Sequence, residues 1–437
     1  MLLEYSFKNY KSFKDLNTFS MIGVRSFKEQ EPDNIIRLGK DKILKVGVVY
    51  GNNASGKSNL VKGLQSMKEM VKSSFRDALI EKNSSLQTEK FLLNTETENA
   101  ASFFEVIFIY ENIKYKYGFE VGNNTIIKEW LYYTANKETP LFLRENDAYK
   151  INKTSFKEGL NLEKKTRNNV LFLSLVAQFN GEISNKIINW FNNINFISGI
   201  HDKGYGLYTI HKLKNDKKFN SWLSLILNHL EISNITIEEF DLNNEEFESI
   251  VKKTDDEKIK SFIVGLNNLN RDKTKKIQIE TWHKKYDENN LLVDTIPFDF
   301  DEQESEGTKK FVNLLGPWYD TLKNGKILIV DELDSRLHTH LTKKLIELFQ
   351  KYNKSSAQLL FTSHDVNLLD KELFRRDQIW FIEKNQFGAS QLYSLADFNA
   401  ESVRKTSSFS KNYLNGKYGA TSYFEIGDNI KKLLTNE

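Results

Sequence analysis

Apolar and polar residues change their period several times along the chain, and each change marks an element. Residues 2–7 alternate weakly, as a half-buried strand does, and 13–22 supplies a second strand. Residues 46–50, Val-Gly-Val-Val-Tyr, are a short apolar run of the kind found in a strand buried on both faces. A helix is predicted over 58–79 and a polar loop over 81–90. Strand-like runs follow at 102–110, 113–121, 125–133 and 141–144. Gly122-Asn123-Asn124 is a hairpin turn between the second and third of them.

The period becomes helical from 169 to about 194, and 196–199 reads as a short strand that ends it. Residues 205–265 read as mainly helical and polar, with Trp222, Leu223, Leu225, Ile226, Leu227 and Leu230 on one face. The charge run at 252–258 is expected on a solvated surface. No heptad is sustained, which argues against a long coiled coil. Strands are predicted at 276–282, 291–294, 326–330, 358–362 and 378–383. Helices are predicted at 307–322, at 339–352 and from near 366. This alternation is that of an α/β fold with a largely parallel sheet, which the distant strand at 46–50 must join. Three regions follow: 1–150 with an antiparallel β portion, a mainly helical insertion at 151–275, and a second α/β lobe at 276–437.

Composition changes this picture little. The chain has 437 residues, ample for a large core, and a net charge of +3 from 62 basic and 59 acidic side chains, so any nucleic-acid groove would have to be local. It has no cysteine, which excludes disulfides and thiolate metal sites. The first residues lack the apolar segment of a signal peptide, and no apolar run is long enough to span a bilayer. A cytoplasmic protein without membrane contact is expected.

The candidate chemistry lies where strands end. Gly51-Asn52-Asn53-Ala54-Ser55-Gly56-Lys57-Ser58 fits GxxxxGK[ST] between a predicted strand and a predicted helix that opens with Asn59. Glycines let the backbone approach phosphate oxygens, and the loop amides with the helix dipole face the anion. Lys57 would neutralise the β- and γ-phosphates and Ser58 would hold Mg²⁺. Ile327-Leu328-Ile329-Val330-Asp331-Glu332 delivers two carboxylates to a strand's C-terminal end. Asp331 would serve Mg²⁺ and Glu332 would polarise a water. Phe361-Thr362-Ser363-His364-Asp365 repeats the form, with His364 placed to contact a γ-phosphate. Ser305-Glu306-Gly307 opens a helix, with Ser305 a good N-cap and the free amides an anion site. Asp334 lies in the loop after Glu332.

In chain order, Gly51–Ser58, Ser305-Glu306-Gly307, Asp331-Glu332, Asp334 and His364 resemble the motifs of the ATP-binding-cassette class of ATPase heads: Walker A, signature, Walker B with catalytic glutamate, D-loop and H-switch. Within that class the chain resembles the AAA-family defence ATPases of the abortive-infection and overcoming-lysogenization-like type, including RloA-like proteins. Residues 7–13 (Phe-Lys-Asn-Tyr-Lys-Ser-Phe), 171–174 and 379–384 add to the likeness. The signature departs from the usual pattern, being Ser-Glu-Gly-Thr rather than Leu-Ser-Gly-Gly-Gln.

The resemblance implies Mg²⁺-dependent ATP hydrolysis and a homodimer, or a higher homo-oligomer, that sandwiches ATP. In it Ser305, Gly307 and Asp334 serve the partner's nucleotide. Overcoming-lysogenization nucleases continue into a metal-dependent TOPRIM domain. Here Asp365, Asp370 and Asp377 fall in predicted helix and loop with no later Glu … Asp-x-Asp set, so no built-in nuclease is expected. The output would be made by a separate effector, a nuclease encoded nearby. The alternative is a genome-maintenance head, like RecF or a short SMC-type protein, that clamps DNA. A transporter subunit fits poorly, because the stretch from Ser58 to Ser305 far exceeds a short helical insert.

Overall fold

The computed structural model describes residues 1–28, 31–80, 86, 88–241, 275–398 and 408–420. The charge run at 252–258, the helical expectation for 242–265 and most of the first half of the loop expected at 81–90 lie outside them. The chain forms two compact units: Met1–His201 with the chain from Asp320 onward, and Asp202–Tyr319.

The first unit is built on two large sheets. One has six strands in the order Ile194–Ser198, Ile327–Asp331, Gln358–Thr362, Val46–Gly51, Ile379–Lys384 and Ser390–Ser394. All neighbours are parallel except the last pair. The strand at 46–51 thus sits in the middle, every residue buried, as its unbroken apolar run requires. The other sheet has seven antiparallel strands and includes Leu2–Lys8, Ser102–Tyr110, Ile113–Gly122 and Thr125–Thr134. Asn123 and Asn124, with φ of 50° and 61°, make the tight turn between the last two.

Helix Lys57–Ile80 follows the central strand. Its Leu60, Leu64, Met67 and Val71 join one continuous core with Tyr5, Phe7, Phe104 and Phe119 of the antiparallel sheet and Ile327 and Ile329 of the parallel one. The Gln358 side chain ties the two sheets together, accepting from the Leu2 amide and donating to the Leu2 and Leu44 carbonyls.

Several expectations needed tertiary context. The helical run at 169–194 is two helices, Phe172–Gln178 and Glu182–Asn192, because Asn180 turns left-handed at φ 62° and Gly181 follows. The helix expected from near 366 is only the 3₁₀ turn Val366–Leu368. The carboxylates of Asp365 and Asp370 take the amides of Asn367 and Glu372 and so compete with helix. Strands Ile35–Leu38, Asp41–Leu44, Ala148–Ile151 and Ser390–Ser394 carried too little pattern to be seen.

In the second unit, helices Lys203–Asn215 and Lys217–Leu227 precede a strand, Ile232–Asp241, where helix was expected. Its β-branched Ile232, Ile235, Thr236 and Ile237 pair with the central strand Lys275–Tyr286, which also pairs with Leu292–Asp299. Helix Glu306–Asn324 begins in this unit. No described helix is long and apolar enough to cross a membrane.

Candidate functional site

The glycine loop is held by packing that admits no other residue at two positions. A Cβ on Gly51 would stand 2.5 Å from the Ile382 carbonyl oxygen and 2.6 Å from Ser55 Oγ. Gly56 has φ of +118°, and its Cβ would meet Ser12 Oγ and Ser390 Oγ, both at 2.7 Å. Asn53 and Ala54 are exposed at the tip, Ala54 left-handed at φ 61°. The loop closes on itself through Ser55 N–H to the Asn52 carbonyl, and the Gly56 carbonyl accepts from Asn59 and Leu60. Asn59 Nδ2 donates to Ser12 Oγ at 2.9 Å. Among the described residues, no acceptor faces the amides of Gly56, Lys57 and Ser58. Ser55 Oγ is buried without a hydrogen-bond partner. Open amides around a cradle that a Cβ would fill fit an anion of phosphate size.

Lys57 is buried, and its Nζ donates to the carbonyls of Gly51 and Asn52 at 2.7 and 2.9 Å. Burial lowers its pKa from 10.5 to about 8, while the charges of Glu332, Asp331 and Asp334 act in the opposite direction. The cation is therefore costly to keep charged and, among the described residues, has no bonded carboxylate.

Those three acids reach the site from the end of strand Ile327–Asp331 and the loop after it, two places from the P-loop strand in the sheet. Thr362 Oγ1 donates to Asp331 Oδ1 at 2.8 Å and accepts from the Glu332 amide at 2.7 Å, so one hydroxyl holds the Asp331 carboxylate and the Glu332 backbone. Glu332 is left-handed, with φ of 58°. Such a non-glycine conformation costs of order 1–3 kcal/mol and persists only where the surroundings fix it. The surroundings include Gly199, whose amide donates to the Asp331 carbonyl at 2.6 Å. A Cβ there would lie 1.8 Å from the Glu332 carbonyl oxygen. His364 Nε2 is 3.7 Å from Glu332 Oε1, and the His364 amide faces the Asp334 carboxylate at 3.2 and 3.4 Å. The first unit thus brings together 51–59, Asp331, Glu332, Asp334 and His364.

Ser58 is partly buried at the first helical turn, and Asp331 keeps one oxygen unused by Thr362. Among the described residues there is no group of three His, Cys, Asp or Glu that could hold a metal by itself. One hydroxyl and one carboxylate fit Mg²⁺, which takes few protein ligands when phosphate oxygens and water supply the rest.

Ser305 and Gly307 belong to the second unit. There Ser305 Oγ caps the helix, accepting from the Thr308 amide at 3.1 Å. A cavity of about 610 Å³ opens beside the P-loop in the first unit, lined in part by Lys11, Ser12, Asn59, Phe91, Lys384 and Gly388. Sequence reasoning missed Ser12, Gly199, Thr362 and Ser390 as parts of the site. A polar residue directly after the apolar run at 359–361 was a signal for Thr362. Nothing local marks Ser390, which reaches the loop by donating to the Ser55 carbonyl at 2.5 Å.

A central parallel strand feeding an anion cradle, with carboxylates at the end of the strand two places away in the same sheet, defines an α/β P-loop NTPase of the ATP-binding-cassette type. Residues 47–370 match the family described as "AAA domain, putative AbiEii toxin, Type IV TA system". The chain belongs to that family. No curated protein matches the sequence. Among solved structures, the SMC head domain from Thermotoga maritima is 12% identical, covers 90% of this chain and 98% of its own, and has a TM-score of 0.40. An SMC head bound to the C-terminal winged-helix domain of ScpA is 11% identical, covers 90% of this chain and 97% of its own, and has a TM-score of 0.42.

Proposed function

We propose that this protein binds and hydrolyses ATP with Mg²⁺ as a conformational switch in anti-phage defence of the abortive-infection type, and that it controls a separate effector, a nuclease. The observation that carries the ATP site is the set of open amides at Gly56, Lys57 and Ser58, beside a buried lysine with no bonded carboxylate. Lys57 would give up its two loop carbonyls for phosphate oxygens, Ser58 and Asp331 would hold the metal, and the cavity beside Ser12 would take the nucleoside. Glu332, fixed by Thr362 and Gly199, would accept the proton of the attacking water, and His364 would report the γ-phosphate. A family description that names a toxin of a toxin–antitoxin system supports a role in growth arrest or defence.

Ser305 and Asp334 would act on the nucleotide of a second copy. Ser305→Arg should then bind ATP without hydrolysing it, and mixing it with Lys57→Ala should restore one composite site. Inactive mixtures of demonstrated heterodimers would reject this sharing. For the biological role, the pure chain should cut neither DNA nor RNA. Expressed with the protein encoded beside it, it should become toxic or phage-protective, and Lys57→Ala should abolish that. Tight, salt-sensitive DNA binding by the ATP-bound protein would instead make it a DNA clamp.

A further inference from the structure

Glu304 immediately precedes the Ser305–Gly307 helix start, and its carboxylate is turned away from solvent, with 8% of the side chain exposed. It lies on one face of the strand Lys275–Tyr286, where Thr281 and His283 stand two residues apart and therefore side by side. Thr281 Oγ1 donates to Glu304 Oε1 at 2.5 Å, and His283 Nε2 is 2.7 Å from the same oxygen. Thr281 is fully buried, and the His283 ring lies against Phe298 with centroids 4.5 Å apart. The next acid, Glu306, is also engaged, by Lys309 Nζ at 3.0 Å. Two carboxylates thus flank a helix start read as a phosphate contact, and both are held by other groups. A free carboxylate there would repel phosphate.

We propose that Glu304 is a positioning residue. Clamped by Thr281 and His283, it fixes the direction in which Ser305 and the first amides of helix Glu306–Asn324 are presented to the second copy's ATP. This rests on the shared-site reading of Ser305, and the test separates the two. Glu304→Ala frees the helix start, so nucleotide affinity should stay within about twofold while kcat falls by about tenfold or more. Glu304→Gln keeps an oxygen that accepts from Thr281 and His283, and should retain most of the rate. Because the defect would lie in the face shown to the partner, mixing Glu304→Ala with Lys57→Ala protein should recover one working site per heterodimer. If Glu304→Ala fails to fold, Thr281→Val keeps the strand's shape and should lower kcat by about threefold without changing nucleotide affinity. Wild-type kcat in folded Glu304→Ala, or in Thr281→Val where Glu304→Ala does not fold, overturns the proposal. So does a loss that Lys57→Ala protein does not complement while it does complement Ser305→Arg. Failure to complement Ser305→Arg itself sinks the shared site instead.

Discussion

Three helices of the first unit begin with amides that need acceptors, and they are treated in two ways. At Phe172–Gln178 the buried carboxylate of Glu129 takes the Phe172 and Leu173 amides at 2.6 and 3.0 Å. Tyr117 and Arg144 complete its surroundings. At Glu182–Asn192 the Glu158 carboxylate takes Ile183 and Ser184 at 2.9 and 2.8 Å. At Lys57–Ile80 no acid lies in the first turn and, among the described residues, no acceptor is bonded to the amides of Lys57 and Ser58. Where the protein supplies its own anion, the charge network is closed and serves stability. Where it supplies a buried cation and open donors, the helix start fits an anionic ligand.

The largest break in this comparison should come from Glu332→Gln. It removes the proton acceptor and leaves the phosphate cradle intact. Single-turnover hydrolysis should fall by about 10²–10⁴ with ATP affinity retained. Wild-type turnover would show that Glu332 is not the base.

At the filled helix, Glu129→Ala strands the Arg144 charge and two buried amides. Urea unfolding should show a loss of about 3–5 kcal/mol with nucleotide affinity unchanged in the folded protein. A loss below about 1 kcal/mol would mean that the carboxylate is not the helix's anion.

Gly199→Ala forces apart the Gly199–Glu332 contact and should cost about 1–3 kcal/mol, with hydrolysis reduced more than binding. Gly204, where a Cβ meets nothing within 4 Å, is the control, and Ala there should be neutral or slightly stabilising. Equal effects at the two glycines would remove the argument for Gly199.

The smallest effect sharpens the contrast through pH. Lys57 titrates at about 8 in the free protein, below its ordinary 10.5, so a growing share is neutral above pH 8. Bound phosphate favours the charged amine. ATP affinity should therefore be full below about pH 8 and fall by up to about tenfold per unit above it, with proton uptake on binding. Lys57→Arg stays charged and should flatten the profile in fluorescent-nucleotide titrations. A wild-type profile flat through that range would exclude a depressed Lys57.

Much of the molecule can be read from the chain, because its information is local. An apolar run at 46–50 can only be a buried strand, and the hairpin turn at Gly122–Asn124 needs residues that tolerate positive φ. The glycine loop, with the acids at 331 and 332, likewise announces phosphate chemistry by residue type and spacing alone. What local pattern cannot carry is competition and distance. Asp365 and Asp370 defeat a helix by capturing amides, and Ile232–Asp241 becomes a strand because a partner strand lies 34 or more residues later in the chain.

The sequence by itself determined the class of chemistry, since the residue types and spacing around Lys57, Ser58, Asp331 and Glu332 point to a phosphate site whatever surrounds them. Only the tertiary structure decided what holds them. Ser390 under the P-loop, Thr362 between Asp331 and Glu332, and Gly199 against a left-handed Glu332 come from separate strands of one sheet or its ends. Strand order, and not neighbourhood in the chain, brings such residues within hydrogen-bonding reach. It also leaves one helix start open while its neighbours are closed.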